Sequence, residues 1–312
     1  MNVSTLGNGD LAYTAPDGQL YVWGGDVVNC TLPACPVELS IYGYRANLPF
    51  SSVLIALYAL CAVAQIYLGW RHKTWSFMAA MLLGCFTEIL GFVGRILMWQ
   101  NPWNDTGFTM QIVLITFGPV FFSAAIYVML SQIVQYISPK VSRVPPKVYY
   151  YTFIPCDIIA LILQAVGGAM SSTSNGASDV GVNIALAGLA FQVITLVAFS
   201  TACADYMILS RRVWQAAALP TRFKVFCAFF TLATLLILIR CSYRVYELSE
   251  GYTSESEALR DQPLFIGLEG VMVVLAAWCL VAAHPSALFK RHEGSLAEKQ
   301  TIQDPVSHET EV

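Results

Sequence analysis

Charged and amide side chains interrupt the long apolar stretches of this sequence, and the chemistry of eight of them is the first feature to explain. An ionised side chain at the centre of a membrane helix costs roughly 2.5–3.5 kcal/mol on insertion scales, so such residues usually face the interior of a helix bundle. The eight residues are Glu88, Arg95, Asp157, Gln164, Gln192, Arg240, Arg244 and Glu269. We therefore treat them as candidate ligand-binding residues.

The spacing of the charges places several of them on shared helical faces. Glu88 and Arg95 are seven residues apart, and Arg240, Arg244 and Glu247 follow at intervals of four and three. Both spacings keep side chains on one side of an α-helix. The charges in the outer half of their spans are Arg95, Arg240, Arg244 and Glu269, with Glu88 near mid-depth. We expect an outer cluster between the second, sixth and seventh spans.

A second polar group lies deeper in the sequence-predicted bundle. Asp157 and Gln164 are seven residues apart in the fourth span, and Gln192 is near the middle of the fifth. We expect these three side chains to line the inner part of a path through the bundle.

Two interpretations of the buried charges stay open at this point. In the first, the charged residues pair with one another and only fix the packing of the helices. In the second, they form a polar cavity that receives the headgroup of an amphiphilic ligand. Two arginines near carboxylates suit a zwitterionic or amphiphilic ligand, because each charge finds an opposite partner.

The elements that position these residues are predicted by hydropathy. The chain has 312 residues, of which 56% are hydrophobic and 12% charged, whereas ordinary soluble domains carry about 25% charged residues. About 20 apolar residues are needed to cross a hydrocarbon core of about 30 Å. The sequence therefore predicts an all-α bundle of seven transmembrane helices, over residues 48–70, 75–98, 110–136, 148–171, 181–209, 223–246 and 264–284.

Two spans contain prolines that break the regular pattern of backbone hydrogen bonds. Gly118–Pro119 lies in the third span and Pro155 in the fourth. Proline lacks an N–H group, so each position should kink its helix or free a backbone carbonyl.

The distribution of basic residues predicts the orientation. With the N-terminus outside, twelve of the seventeen lysines and arginines fall in cytoplasmic segments, two in outer segments and three inside spans, as the excess of positive charge on cytoplasmic loops requires. Residues 1–45 then form an extracellular segment, 46–286 the transmembrane domain and 287–312 a disordered cytoplasmic tail. N-glycosylation sequons are expected on the outer side at Asn2, Asn29 and Asn104.

The cysteines predict one disulfide and no metal site. Only Cys30 and Cys35 of the nine cysteines lie in outer segments, where an oxidising environment favours a disulfide. The other seven are scattered through the spans, where cysteine usually acts as a small packing residue. No spacing of cysteine and histidine is typical of a metal centre.

Several functional classes are excluded or disfavoured by what the sequence lacks. There is no phosphate-binding loop of the G-x-x-x-x-G-K-[ST] type, and no lysine lies between Val225 and Phe289 to form a retinal Schiff base. The four histidines lie at or beyond the predicted cytoplasmic boundary, which disfavours an intramembrane zinc enzyme. The third and seventh spans lack the G-protein-coupled receptor motifs. We expect no catalytic residues, no cofactor and no nucleic-acid partner.

An ordered set of motifs from Tyr42 to Ser286 resembles the fungal RTA-like lipid-translocating exporters. The motifs are Glu88-Ile-Leu-Gly-Phe-Val-Gly-Arg95, Pro119…Ala124-Ala-Ile-Tyr127, Phe153…Asp157…Gln164-Ala-Val-Gly-Gly168, Gly188-Leu-Ala-Phe-Gln192, Ile239-Arg-Cys-Ser-Tyr-Arg-Val-Tyr-Glu247, Glu269 and His284-Pro285. The family more often has Asp at the position of Glu269.

The resemblance implies a glycosylated plasma-membrane protein that exports sphingoid long-chain bases or similar lipids, or confers resistance to membrane-active compounds. Its partners would be membrane lipids or amphiphilic small molecules. We expect a translocator without its own ATP motor. The alternative is a seven-helix sensor that binds a lipid without moving it.

Overall fold

The computed structural model describes most of the membrane domain and parts of the N-terminal segment. The described residues are 3–5, 11–14, 19–23, 30–32, 35–40, 42–137, 142–143, 145–173, 179–216, 221–249 and 261–285. The predicted sites Asn2 and Asn29 and the predicted tail 287–312 lie outside these ranges.

Within the described ranges, seven long apolar helices confirm the predicted all-α membrane bundle. They are α1 Leu48–His72, α2 Trp75–Gln100, α3 Asp105–Ile137, α4 Pro146–Thr173, α5 Asp179–Ala216, α6 Thr221–Ser249 and α7 Gln262–Ala282. The chain is therefore a multi-pass membrane protein. We call the end of the bundle that carries the N-terminal segment and the α2–α3 connection the outer end, following the predicted topology, which stays a prediction.

Close helix packing depends on glycines at two interfaces. A Cβ atom on Gly94 of α2 would lie 2.9 Å from the carbonyl oxygen of Gly107 in α3. A Cβ on Gly181 of α5 would lie 2.7 Å from the amide nitrogen of Ser171 in α4. Both separations are too short for a real side chain, so small residues allow these helix pairs to approach closely.

α7 is not a regular α-helix. It begins as α-helix over Gln262–Leu264, continues as a π-helix over Phe265–Val271 and returns to α-helix over Met272–Ala282. Short π-helical segments occur frequently at functional sites. Here the segment carries Glu269, one of the candidate residues.

The N-terminal segment contains a small sheet that the sequence does not predict, because its strands have only three or four residues. β1 Val3–Thr5, β2 Leu11–Thr14 and β3 Leu20–Trp23 form an antiparallel meander in that order. The structure joins Cys30 to Cys35 in a disulfide. These cysteines pack on Trp103, which lies in the connection between α2 and α3, and so hold the segment against the bundle.

The asparagine of a predicted glycosylation sequon, Asn104, directly precedes the first residue of α3. The Asn104 Oδ1 atom accepts a hydrogen bond of 2.9 Å from the backbone N–H of Gly107, which satisfies one of the free donors at the start of the helix. Glycosylation of Asn104 stays a prediction.

At the opposite end of the bundle, His284 follows the last turn of α7. Its Nε2 atom lies 3.3 Å from the Thr74 hydroxyl, and its ring packs on Phe77. Burial, aided by the nearby His72, lowers the pKa of His284 to about 4. The imidazole is therefore neutral at physiological pH, and it ties the end of α7 to the start of α2.

Candidate functional site

The core of the site is a chain of ion pairs between α6 and α7. A Glu269 carboxylate oxygen, Oε1, lies 3.1 Å from Arg240 Nη2 and 3.4 Å from Arg244 Nη1. Arg244 Nη1 also lies 2.7 Å from Glu247 Oε2. All four side chains are at most 5% exposed. The helical spacing on α6 and the π-helical segment of α7 thus bring together three of the eight candidate residues, with Glu247 as a fourth member.

The proline in α3 supplies this cluster with an additional acceptor. Pro119 has no N–H group, so the carbonyl of Ile115, four residues earlier, has no regular helical donor. Arg240 Nη2 lies 3.4 Å from that carbonyl oxygen. The freed carbonyl expected from the sequence is therefore directed at a buried arginine, and α3 joins the cluster predicted between α2, α6 and α7.

The glycine that precedes this proline makes room for Glu88 of α2. Glu88 is fully buried, and neither of its carboxylate oxygens has a hydrogen-bond partner among the described residues. A Cβ atom on Gly118 would overlap Glu88 Oε1. Gly118 therefore leaves space for the Glu88 carboxylate, and Pro119 frees the carbonyl that lies against Arg240.

Substituting Gly118 by alanine is expected to displace Glu88 and destabilise the protein. The steric reason is the overlap with Glu88 Oε1, and overpacking of this kind typically costs about 1–3 kcal/mol. Thermal unfolding of the purified protein, followed by size-exclusion chromatography, would measure the loss. Gly168→Ala is the matched control, because a Cβ there meets no atom within 4 Å. Equal melting temperatures for the two variants would contradict the proposed packing.

Arg95 is held differently from the other two arginines. Its Nη2 group donates a hydrogen bond of 2.9 Å to the Tyr44 hydroxyl. The guanidinium carbon lies 3.6 Å from the ring centre of Phe265 and 5.7 Å from that of Tyr42. Among the described residues, no carboxylate forms an ion pair with Arg95. Its charge is therefore stabilised mainly by aromatic faces.

The two tyrosines above Arg95 belong to the segment that leads into α1. Burial raises the pKa of both Tyr42 and Tyr44, although the positive charge of Arg95 opposes the shift. Both phenols therefore remain protonated over the physiological range. Tyr42 also accepts a hydrogen bond of 2.9 Å from the Gln111 amide. This segment closes the outer end of the site.

A small cavity lies under this closure. Its volume is about 10 Å³, room for roughly one water molecule. It is lined by Ser40, Tyr42, Tyr44, Ala46, Arg95, Met98, Pro102 and Gln111. A group larger than water could enter this cavity only if the segment at 42–46 moved away from Arg95.

The remaining three candidates form a separate hydrogen-bonded group. Asp157 accepts hydrogen bonds from the Tyr127 hydroxyl at 2.9 Å and the Thr195 hydroxyl at 3.2 Å. The Gln164 amide donates to Gln192 Oε1 at 2.9 Å. The group links α3, α4 and α5. The group also contacts α6, because the Gln192 amide nitrogen lies 3.7 Å from Cys241 Sγ.

Several residues of both groups are absent from the sequence-based set of candidates. They are Tyr42, Tyr44, Tyr127, Thr195, Glu247 and Phe265. Glu247 lies on the same helical stripe as Arg240 and Arg244, and this spacing could have added it to the set. Uncharged aromatic and hydroxyl residues give no comparable signal in an apolar sequence.

Comparison with known proteins finds one family and several named relatives. The family model described as RTA1 like protein matches residues 81–292. The sphingoid long-chain base transporter RSB1 of Saccharomyces cerevisiae strain S288c is 27% identical over 305 residues, which cover 85% of this chain and 78% of RSB1. Protein RTA1 of the same strain is 26% identical over 223 residues, covering 70% and 69%.

A third relative is more distant. Protein RTM1 of Saccharomyces cerevisiae is 24% identical over 209 residues, which cover 61% of this chain and 64% of RTM1. No solved structure matches the chain.

Proposed function

We propose a lipid-transport function on the premise that this chain belongs to the family of RTA1-like proteins. A relative that matches 85% of the chain is named a sphingoid long-chain base transporter. We infer that this protein moves amphiphilic lipids, such as sphingoid long-chain bases, between the leaflets of the plasma membrane. Resistance to membrane-active compounds would follow from the removal of such molecules from the membrane.

The observation that carries the proposal is a series of buried charged residues at increasing depth from the outer end of the bundle. At a rise of 1.5 Å per residue, Arg95 lies roughly 8 Å, Arg240 roughly 14 Å and Glu88 roughly 18 Å from the outer ends of their helices. A headgroup that left the water would meet charged partners along the outer half of an apolar core of about 30 Å. Such groups are the usual markers of a substrate pathway in membrane proteins.

The closed arrangement suggests how a headgroup would be handled. The Tyr42–Tyr44 segment would open to admit it beside Arg95, and its hydroxyl or anionic groups would accept hydrogen bonds from the guanidinium. A cationic group would lie nearer to Glu269, whose carboxylate is shared by two arginines. The acyl chain would remain among the apolar helix surfaces, so that only the headgroup needs the polar site.

The second group, which extends deepest at Asp157, would serve the inner part of the route. Asp157, Gln164 and Gln192 are buried and bonded to their neighbours, so they would be available to a headgroup only after the helices separate. The N-terminus is proposed to be extracellular and the C-terminus cytoplasmic, in agreement with the charge distribution of the sequence.

Reconstitution in liposomes tests the transport function. The purified protein, incorporated with a fluorescent sphingoid base, is expected to move that lipid between leaflets faster than protein-free liposomes do. A quencher confined to the outside measures the exposed fraction over time. Binding without acceleration would overturn transport and support the second candidate function, a sensor that binds a lipid without moving it.

A further inference from the structure

Glu88 is the least satisfied charged residue in the described part of the chain. It is fully buried, and both of its carboxylate oxygens lack a hydrogen-bond partner. Two potential donors nearby are also unpaired, the Arg240 Nε group and the Tyr58 hydroxyl. Buried polar groups without partners are unfavourable. The Glu88 carboxylate is therefore available to a proton or to a new hydrogen-bond partner when its surroundings change.

The groups around Glu88 define what can respond to it. α1 contributes the Tyr58 phenol and the Cys61 thiol, and α2 itself contributes the Cys85 thiol. α3 faces Glu88 with Gly118, which carries no titratable group.

The charged neighbours of Glu88 are Arg240 on α6 and Glu269 on α7. The Arg240 guanidinium attracts both carboxylates, but in this structure it forms its ion pair with Glu269.

The outer cluster is balanced in charge when Glu88 is ionised. Its cations are Arg95, Arg240 and Arg244, and its anions are Glu88, Glu247 and Glu269. A proton on Glu88 gives the cluster one net positive charge. A lipid ammonium group in the ionised cluster gives the same net charge. If Glu88 kept its proton while the lipid ammonium group was bound, two positive charges would be uncompensated inside an apolar bundle, which is costly.

Building on the proposed lipid transport, we propose that Glu88 carries a proton that is exchanged for the ammonium group of a cationic amphiphile. When the O–H bond of Glu88 breaks, the proton passes to water and the carboxylate attracts Arg240 through its unpaired Nε group. The Arg240–Glu269 pair weakens, and Glu269 faces the incoming ammonium. Return of the proton to Glu88 restores the Arg240–Glu269 ion pair and releases the lipid. The movement of a lipid cation in one direction is thus coupled to a proton in the other.

The position of Glu88 agrees with this exchange. The polar chain of Arg95, Arg244 and Arg240 leads to it from the outer end, whereas the next turns of α2 toward the inner end carry the fully buried Met81 and Phe77. Glu88 is therefore the innermost charged residue of α2.

Binding measured against pH tests the exchange without requiring transport. The probe is an N,N,N-trimethylated sphingoid base, whose fixed charge removes any titration of the lipid itself. The wild-type Kd is expected to rise as pH falls from 8 to 5, by up to about tenfold per pH unit when one proton competes. Glu88→Gln should show a constant Kd. Asp205→Asn is the control, because Asp205 is an exposed carboxylate paired with Arg143, and it should match the wild type.

Two outcomes would overturn the exchange. A wild-type Kd that does not change with pH would do so, and so would the same pH dependence in Glu88→Gln as in the wild type. If Glu88→Gln does not fold, proton release decides the matter. Adding probe to wild-type protein in weakly buffered solution at acidic pH should release up to one proton per probe bound, and no release would exclude the exchange. A protein that moves lipid in liposomes but fails these tests retains the proposed function and loses only the coupling.

Discussion

Replacing both members of the Arg240–Glu269 pair by glutamine is expected to leave the protein folded and to reduce lipid movement strongly. The two side chains are 2% exposed and 3.1 Å apart. Removal of one partner of a buried ion pair leaves an uncompensated charge and destabilises by about 3–5 kcal/mol, whereas replacing both with neutral side chains of similar size leaves no uncompensated charge. Each single variant, Arg240→Gln and Glu269→Gln, should therefore be less stable than the double variant.

Transport should follow a different order from stability. If the pair contacts the headgroup, the double variant lacks both charges and loses lipid movement on the order of tenfold or more, because a charged hydrogen bond contributes about 1.5–3 kcal/mol. Thermal unfolding measures the first quantity, and the liposome assay measures the second on protein that has passed size-exclusion chromatography.

A surface ion pair provides the control for this experiment. Arg143 and Asp205 are 3.3 Å apart, with side chains 70% and 46% exposed, and such pairs contribute about 0–1 kcal/mol. The double variant Arg143→Gln/Asp205→Asn should keep both stability and transport. A double variant of the buried pair that folds and transports at the wild-type rate would show that the cluster only fixes helix packing.

The comparison of sequence and structure shows which part of this site hydropathy and spacing can predict. The seven spans follow from the length of the apolar stretches, and the cluster of Arg240, Arg244 and Glu269 follows from depth and helical spacing. Depth fixes how far along a helix a residue lies. Depth does not determine which neighbouring helix the side chain faces.

Two features depend on that missing direction. The sequence groups Arg95 with the carboxylates because the depths agree, but in the structure Arg95 is surrounded by the rings of Tyr42, Tyr44 and Phe265. Similarly, Asp157 finds its partners in two hydroxyl groups on other helices.

The π-helical segment of α7 is a second limit. Phe265–Val271 contains no proline and reads as a continuation of an ordinary helix. The shift it introduces changes the face on which Glu269 lies, and the segment packs closely on α1. One contact is especially close, since a Cβ on Gly270 would lie 2.5 Å from the Phe50 ring. By contrast, the freed carbonyl of Ile115 could be anticipated, since it depends only on the position of Pro119.

Arg95→Gln is expected to reduce lipid movement on the order of tenfold or more, because a charged hydrogen bond to the headgroup contributes about 1.5–3 kcal/mol. It should destabilise the protein less than Arg240→Gln does. The reason for this contrast with Arg240 lies in the partners. No carboxylate among the described residues pairs with Arg95, so its removal leaves no buried anion behind. The Tyr44 hydroxyl, which accepts from Arg95, is half-buried and retains access to other partners.

The matched control for Arg95→Gln is Arg45→Gln. Arg45 also lies over an aromatic ring, 4.4 Å from the centre of Trp99, but it is exposed at the surface. If the closure over Arg95 is the entrance for the headgroup, only the buried arginine should matter for transport. A similar loss in both variants would indicate a general attraction of surface charge for lipid. A loss of melting temperature in Arg95→Gln as large as in Arg240→Gln would mean that Arg95 serves mainly to hold the N-terminal segment on the bundle.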